Sequence, residues 1–425
     1  MFLVRADGNA RIGAGHLVRC VSIAEELAQR EGCGEVCFLC ADSQSAEMAQ
    51  SYGFRSYVLG TDYQNMESEL PLWKELAAEP SVRQAAWEGN LFILVDSYYV
   101  TKEYLEALGQ MGHVILMDDF GTERYPVDWV INYNAPASPE AYGELYSGQE
   151  TVQLIGSTYV PLRRQFRTSG TAESRANSEA GGRTLSVVGV SEAGGRTSSG
   201  AGVSEACGRT LGGAGVSEAC GRTPGGAGVS EACGRTPDRA GVCEVREEAK
   251  AVLITTGGGD SENIAGKILK KLYANGLEFH VVMGQFHPYF QEMKGLEKEY
   301  TNIHIHHNVT DMAALMRNCD IAVTAGGSTI YELAAVGVPF VCFSYAVNQE
   351  LLTEYVGREG IGGYAGAWHR EPGAVLERLE KQFWELVGDG KTQKEYIFRA
   401  RAMTDGRGAE RIADALLGKN SQSGC

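Results

Sequence analysis

Two stretches of this chain, residues 1–167 and 247–425, alternate short apolar runs with amphipathic segments, and a tandem repeat separates them. In the first stretch MFLVRAD, EVCFLCAD, LFILVDSYY and HVILMDDF read as strands, and WVINYNA reads as a further one. The middle three end in polar residues, Asp42, Asp96 and Asp118-Asp119. A strand that is apolar along its whole length is buried on both faces, as in a parallel sheet covered by helices. Polar residues at the strand C-termini mark the edge where such sheets hold ligands. Between the first two strands HLVRCVSIAEELAQR has apolar residues at helical spacing. VQLIGSTYVPLRRQF leads out of this block.

The second stretch repeats the logic. AVLITTGGGD reads as a strand and glycine turn, and SENIAGKILKKLYANG as a helix ending in Asn-Gly. FHVVMGQF and NIHIHHNV are strands, DMAALMRNC is a short helix capped by Asp311, and DIAVTAGG is a strand feeding the helix STIYELAAVGV. PFVCFSYAVNQ is a strand and loop, and the tail closes on a terminal helix. The expected fold class is therefore α/β, with two Rossmann-like lobes whose parallel sheets face across a cleft.

Between the lobes, residues 168–246 change character. The unit Ser-Glu-Ala-x-Gly-Arg-Thr begins at Ser178, Ser191, Ser204, Ser217 and Ser230, an even spacing of 13. Repeats that stack into solenoids carry apolar positions to bury, and this one offers little beyond one Val. We read it as a disordered insertion, which a connection tolerates because loop-closure entropy grows only logarithmically with length. The composition names no partner for it.

A formal charge of −16 argues against a general nucleic-acid binder or a basic membrane anchor. No run of eighteen apolar residues is present, and MFLVRADGNA lacks a signal peptide's apolar core, so a cytoplasmic protein is expected. Cys37 and Cys40 have redox-motif spacing but sit inside an apolar run, which favours buried thiols over a disulfide framework.

Two glycine turns carry the chemistry. Near the start, Gly13 and Gly15 precede His16 in the first turn of a helix, with Arg19 one turn on. This puts a titratable imidazole beside unpaired backbone N–H groups, a spot that attracts an anion and can move a proton. Far downstream, Gly326-Gly327-Ser328-Thr329 opens a second helix, with Glu332 one turn in and Gly257-Gly258-Gly259 after another strand. Glycine lets backbone N–H groups approach a diphosphate, and a carboxylate one turn along suits a ribose. Two anion cradles point to two lobes closing on one phosphorylated ligand.

The set Gly326 to Thr329, Glu332, Gly337-x-Pro339 and Asn348-Gln349 resembles the nucleotide-sugar lobe of GT-B enzymes, notably the N-acetylglucosaminyltransferase that makes lipid II. The resemblance implies that Glu332 meets ribose and that Gly326, Gly327, Ser328 and Thr329 bind the diphosphate. Arg5-x-Asp7 followed by Ile12-Gly13-x-Gly15-His16-x-x-Arg19-Cys20 resembles the UDP-2,4-diacetamido-2,4,6-trideoxy-β-L-altropyranose hydrolases of pseudaminic acid synthesis. Val95-Asp96-Ser97-Tyr98, Asp118-Asp119, Asn132-Tyr133-Asn134, Gly156-x-x-Tyr159-x-x-Leu162-Arg163-x-x-Phe166 and Ala346-Val347-Asn348-Gln349 extend it over everything but the repeat. It implies His16 as a catalytic residue, with Tyr98 and Asn348 at the same site. Water would attack the anomeric carbon, break the C–O bond and release UDP with inversion.

The remaining residues keep two readings at this stage. Arg5 and Arg19 pair with Asp side chains or face phosphate, and Asp7 orients the loop or the imidazole. Tyr98 suits a hydrogen bond to the sugar, and Asn348 suits the water or an acetamido group. Gly258, Gly259 and Gln349 belong to the expected UDP site. His304, His306 and His307 suggest a metal cluster, but strand alternation turns His307 away and no acidic or thiol group completes it, so neither a metal nor a cofactor is expected. Asp118-Asp119 is read as fixing loops. The rival readings are a GT-B glycosyltransferase using a UDP-amino sugar, and a non-catalytic nucleotide-sugar-binding protein.

Overall fold

The computed structural model describes residues 1–9, 11–167, 249–257, 260–284 and 287–418. The repeat, and with it the expectation of a disordered insertion, lies outside the described residues, as do Gly258 and Gly259.

Seven strands build the first lobe: β1 (Phe2–Ala6), β2 (Val36–Cys40), β3 (Arg55–Val58), β4 (Phe92–Asp96), β5 (His113–Met117), β6 (Trp129–Asn132) and β7 (Val152–Ile155). They form one sheet in the order β3-β2-β1-β4-β5-β6-β7, every pair parallel. Six more build the second: β8 (Ala251–Thr255), β9 (Glu278–Met283), β10 (Ile303–His307), β11 (Ile321–Ala325), β12 (Phe340–Ser344) and β13 (Gly363–Ala367). Their order is β10-β9-β8-β11-β12-β13, again wholly parallel. Strands β1, β2, β8, β11 and β12 are buried at every residue, as their mainly apolar sequences lead one to expect, and Arg5 of β1 is buried with them.

In both sheets the chain winds outward from a central strand, then returns to start on the other side. The reversal falls between β1 and β4 in one lobe and between β8 and β11 in the other. Side chains beyond the strand C-termini have room at such a reversal because the flanking connections diverge there. Asp96 closes β4 in register with Ala6 of β1. Gly326 follows Ala325, the last residue of β11.

Helices cover both faces. The Gly15–Leu27 helix buries Leu17, Cys20, Val21, Ala24 and Leu27, an i, i+3, i+4 stripe. The Ile264–Leu272 helix does the same with Ile264, Ala265, Ile268, Leu269 and Leu272. It starts at Asn263, which accepts from Gly266 N in a left-handed conformation. Asp311 caps the Met312–Arg317 helix by accepting from Ala314 N. The last helix, Gly408–Leu416, packs against the Gly15–Leu27 helix of the first lobe. Arg30 fastens it there through Asp414 (2.8 Å) and the Glu410 carbonyl (2.9 Å). Buried Glu26 pairs with Arg164 (2.6 Å) and Arg167 on the segment leaving the lobe. Burial by itself raises the Glu26 carboxyl, and the two guanidinium groups more than offset this, bringing it to about 2. The helix that carries His16 is thus held from both chain directions.

The described cysteines Cys20, Cys33, Cys37, Cys40 and Cys342 are free thiols and, like Cys319, are buried. Burial pushes Cys37 to about 11 and Cys40 to about 12, so both remain thiols. Among the described residues no helix is long and apolar enough to cross a membrane.

Candidate active site

The loop from β1 to the first helix is shaped by Asn9. Its side-chain oxygen accepts from Arg11 N (2.9 Å) and Ile12 N (3.1 Å), and its carbonyl accepts from Gly13 N (2.8 Å). Gly13 turns the chain with φ +76, a region closed to most side chains. The helix then begins at Gly15 behind Ala14, so among the described residues no side chain caps its first-turn N–H groups.

His16 sits in that first turn and sends Nδ1 to Asp96 Oδ1 at 2.6 Å. A carboxylate only accepts, so this contact assigns a proton to Nδ1, and in the neutral imidazole the lone pair then lies on Nε2. Asp96 is wholly buried and crowded with donors. Arg19 reaches it from Nε (2.5 Å) and Nη2 (2.5 Å), and the Cys20 thiol from 3.4 Å. Burial alone would raise the Asp96 carboxyl; Arg19 and then His16 more than reverse this and hold it well below the usual carboxylate range. The anion that orients His16 is therefore permanent near neutral pH.

Arg19 continues the network. Its Nη1 donates to Asp119 Oδ1 (2.9 Å) and Oδ2 (3.0 Å) and to the Tyr133 hydroxyl (2.7 Å). Asp119 in turn accepts from the Tyr98 hydroxyl at 2.9 Å. Burial, then the Asp119 charge, raises the Tyr98 phenol, so it stays protonated and donates. The Tyr98 ring stands edge-on to the His16 ring, centroids 4.4 Å apart. From the other lobe Asn348 Nδ2 donates to the Tyr98 hydroxyl at 3.2 Å. His16, Tyr98 and Asn348, chosen from sequence, thus meet in one place.

The second cradle lies across the same junction. Gly327, at φ +133, precedes the Ser328–Val336 helix and gives it no side-chain cap. A Cβ on Gly326 would stand 2.8 Å from Thr353 Cγ2 and 2.9 Å from Gln349 Cβ, so only glycine lets the Val347–Arg358 helix come this close. That helix too lacks a side-chain cap. Ser328 is exposed and Thr329 half-buried. Gln349 turns its side-chain oxygen to Tyr345 N (2.8 Å). Glu332 is buried, with Arg163 Nη2 at 3.6 Å; burial pushes its carboxyl up and Arg163 only partly opposes this. Tyr331, its neighbour, accepts from Ala135 N of the first lobe (2.9 Å). Gly257 turns the chain at φ +89 after β8.

The structure decides between several readings that the sequence leaves open. Asp7 holds the loop, not the imidazole: it accepts from Ala41 N (2.7 Å) and pairs with Arg5 (2.5 Å). Arg5 is fully buried between Asp7 and Glu69 (2.6 Å), far from any phosphate role. Every guanidinium nitrogen of Arg19 meets a protein oxygen. Of the acidic pair, Asp118 fixes a loop by accepting from Phe120 N (3.0 Å) and Gly121 N (3.2 Å), but Asp119 belongs to the charged network. Asp96 and Asp119 were missed as site residues. Their signal was their position, each at a strand's C-terminal edge. His304 and His306 share a face and stack on His280 of β9 at 4.9 and 5.3 Å, while His307 stacks on Phe290. Among the described residues no group of three or more His, Cys, Asp or Glu side chains is arranged to hold a metal.

Comparison with known proteins agrees with this architecture. Residues 251–361 match the glycosyltransferase family 28 C-terminal domain. The spore coat polysaccharide biosynthesis protein SpsG of Bacillus subtilis is 22% identical over 178 residues, 40% of this chain and 51% of that one. A Helicobacter pylori protein described as pseudaminic acid cytidylyltransferase and UDP-2,4-diacetamido-2,4,6-trideoxy-β-L-altropyranose hydrolase is 30% identical over 105 residues, 25% of this chain and 19% of that one. The chain spans about half or less of the length of the curated relatives it matches. Among solved structures, MurG of Acinetobacter baumannii superposes with a TM-score of 0.54 at 12% identity, covering 98% of this chain and 99% of its own. The chain therefore has the GT-B fold, two Rossmann-like lobes of parallel sheet, and its second lobe matches the C-terminal domain of glycosyltransferase family 28.

Proposed function

We propose that this chain is a UDP-sugar hydrolase that cleaves UDP-2,4-diacetamido-2,4,6-trideoxy-β-L-altropyranose to the free sugar and UDP. The observation that carries the reading is the Asp96–His16 pair, 2.6 Å apart, at the strand reversal of the first lobe. Asp96 fixes the tautomer that leaves Nε2 basic. Nε2 takes a proton from water, the water oxygen bonds to the anomeric carbon, and the C–O bond to UDP breaks with inversion. UDP departs with the bonding electrons and is a good leaving group, so a second protein acid is unnecessary.

In this reading the second lobe holds UDP. The start of the Ser328–Val336 helix, which has no side-chain cap, faces the diphosphate, with Gly326, Gly327, Ser328 and Thr329 as the cradle and Glu332 toward ribose. Gly258, Gly259 and Gln349 complete that site, and Gly13 and Gly15 leave room at the first. Arg19 acts as a positioning residue through Asp96 and Asp119. Tyr98 and Asn348 hold the sugar or the attacking water. The substrate and water are the partners, and the chemistry calls for no metal or cofactor. The 1–167 and 247–425 halves divide the work between base and nucleotide, and residues 168–246 take no part.

The likeness of residues 251–361 to a glycosyltransferase domain favours a second reading, transfer of the sugar to an acceptor. One assay separates them. The UDP-sugar is incubated without acceptor, and UDP and reducing sugar are measured. Stoichiometric release that disappears in His16→Ala, with UDP affinity kept, supports the hydrolase. Slow leakage that an acceptor accelerates supports the transferase. Binding without turnover, indifferent to His16, would leave only a nucleotide-sugar-binding protein.

A further inference from the structure

Phe120 is a large apolar ring left 54% exposed, one residue after Asp119. Exposed rings on mobile loops are common, but this loop is tied down. Asp118, itself buried, accepts from the N–H groups of Phe120 and Gly121 and from the Tyr142 hydroxyl (2.7 Å). Tyr142 also accepts from Asn132 Nδ2 (2.9 Å). Gly121 sits at φ +62 with the Tyr142 ring 2.9 Å from where a Cβ would be, so the loop has no slack on that side. Three consecutive residues thus divide three tasks: Asp118 fixes the backbone, Asp119 holds Tyr98 and Arg19, and Phe120 is presented to solvent.

The direction in which it is presented matters. The Phe120 and Tyr98 ring centroids lie 5.3 Å apart, and the Tyr98 ring meets His16 at 4.4 Å. The three rings form a row leading outward from the proposed base. Beside Asn348, which reaches Tyr98 from the second lobe, Val347 is 69% exposed. The polar floor of the site therefore has an apolar rim. Preorganised apolar surface at a site gains affinity because no ordering cost is left at binding. A sugar ring offers a face of C–H groups to such a surface, and N-acyl and deoxy substituents add methyls.

Building on the UDP-sugar reading above, we infer that Phe120 is the platform on which the sugar ring rests, and that it sets the distance of the anomeric carbon from His16. Phe120 belongs to the sugar half of the site and does not touch the nucleotide.

The test compares Phe120→Ala, Phe120→Leu and Phe120→Tyr. For turnover, Phe120→Ala is expected to raise KM about tenfold, with the pH dependence of kcat unmoved, while Phe120→Tyr stays within about threefold of the parent. Inhibition by UDP is expected to be unchanged in all three. A second arm avoids turnover: in a His16→Ala background, calorimetry gives the affinities for UDP-sugar and for UDP. Phe120→Ala is expected to lower the preference for UDP-sugar over UDP about tenfold. An unchanged preference, or an equal loss for UDP itself, overturns the platform. If the parent protein releases no UDP yet the preference still falls, the hydrolase reading fails while the platform stands.

Discussion

Replacing Asp96 with asparagine tests the coupling between Asp96 and His16. The carboxamide has nearly the same shape but one acceptor oxygen and two donor hydrogens. Arg19 donates from Nε to Oδ2 and from Nη2 to Oδ1, at 2.5 Å each, and His16 Nδ1 shares Oδ1; the loss of the base is expected when the variant's oxygen takes the Oδ2 place, between Arg19 Nε and the Cys20 thiol. The amide nitrogen then faces His16 Nδ1, and two donors cannot share that contact. The imidazole moves its proton to Nε2, and the lone pair that accepts from water is lost. General bases contribute about 10²- to 10⁴-fold, so kcat is expected to fall about 10³-fold, or roughly 4 kcal/mol in the barrier. Arg19 keeps Asp119 and Tyr133, so the loss of stability is smaller, about 1–3 kcal/mol. The assay is steady-state UDP release alongside thermal melting and UDP titration. The Asp96→Asn/His16→Ala double variant should be no slower than His16→Ala alone, because the two residues act as a unit. A kcat within about threefold of the parent, or additive losses, would refute the coupling.

Other parts of the molecule give independent tests. Burial, then His306 and His304, lowers His280 from 6.5 to about 4, so the unfolded chain takes up this proton first as pH falls. Stability is complete above about pH 6.5 and declines toward pH 4; the full shift converts to ~3 kcal/mol, discounted to ~2 because the ring is only half-buried. Melting temperature against pH should flatten over that window in His280→Leu, and an unchanged slope would contradict the assignment. Gly326→Ala should cost about 1–3 kcal/mol and weaken UDP binding by pushing the Val347–Arg358 helix away, which melting and UDP titration will show. Arg5→Met strands Asp7 and Glu69 in the interior and should cost about 3–5 kcal/mol in denaturant unfolding. A loss below about 1 kcal/mol would mean that the buried charges find other partners.

The sheets were legible because central parallel strands are written as mainly apolar runs, with Arg5 of β1 the charged exception. The elements hidden from sequence lack that signature. β3 is an edge strand with mostly exposed residues, and β13, Gly-Tyr-Ala-Gly-Ala, has little intrinsic strand preference and is held by pairing with β12. Of the site, the glycine turns and His16 were visible because local backbone chemistry dictates them. The roles of Asp96 and Asp119 were not, because these depend on which strands become neighbours. β4 lies beside β1 only after the chain has wound through β2 and β3. Arg5 and Arg19 looked alike in sequence, yet Arg5 lies within β1 and Arg19 on the helix after it. That places Arg5 on Glu69 and Arg19 on Asp96 and Asp119.

The most direct measurement is hydrolysis of the UDP-sugar in water enriched in heavy oxygen, without acceptor, with both products analysed by mass. The account predicts one heavy oxygen on the anomeric carbon of the released sugar, none on UDP, and loss of both products in His16→Ala. Heavy oxygen on the UDP phosphate, or release that survives without His16, would contradict it.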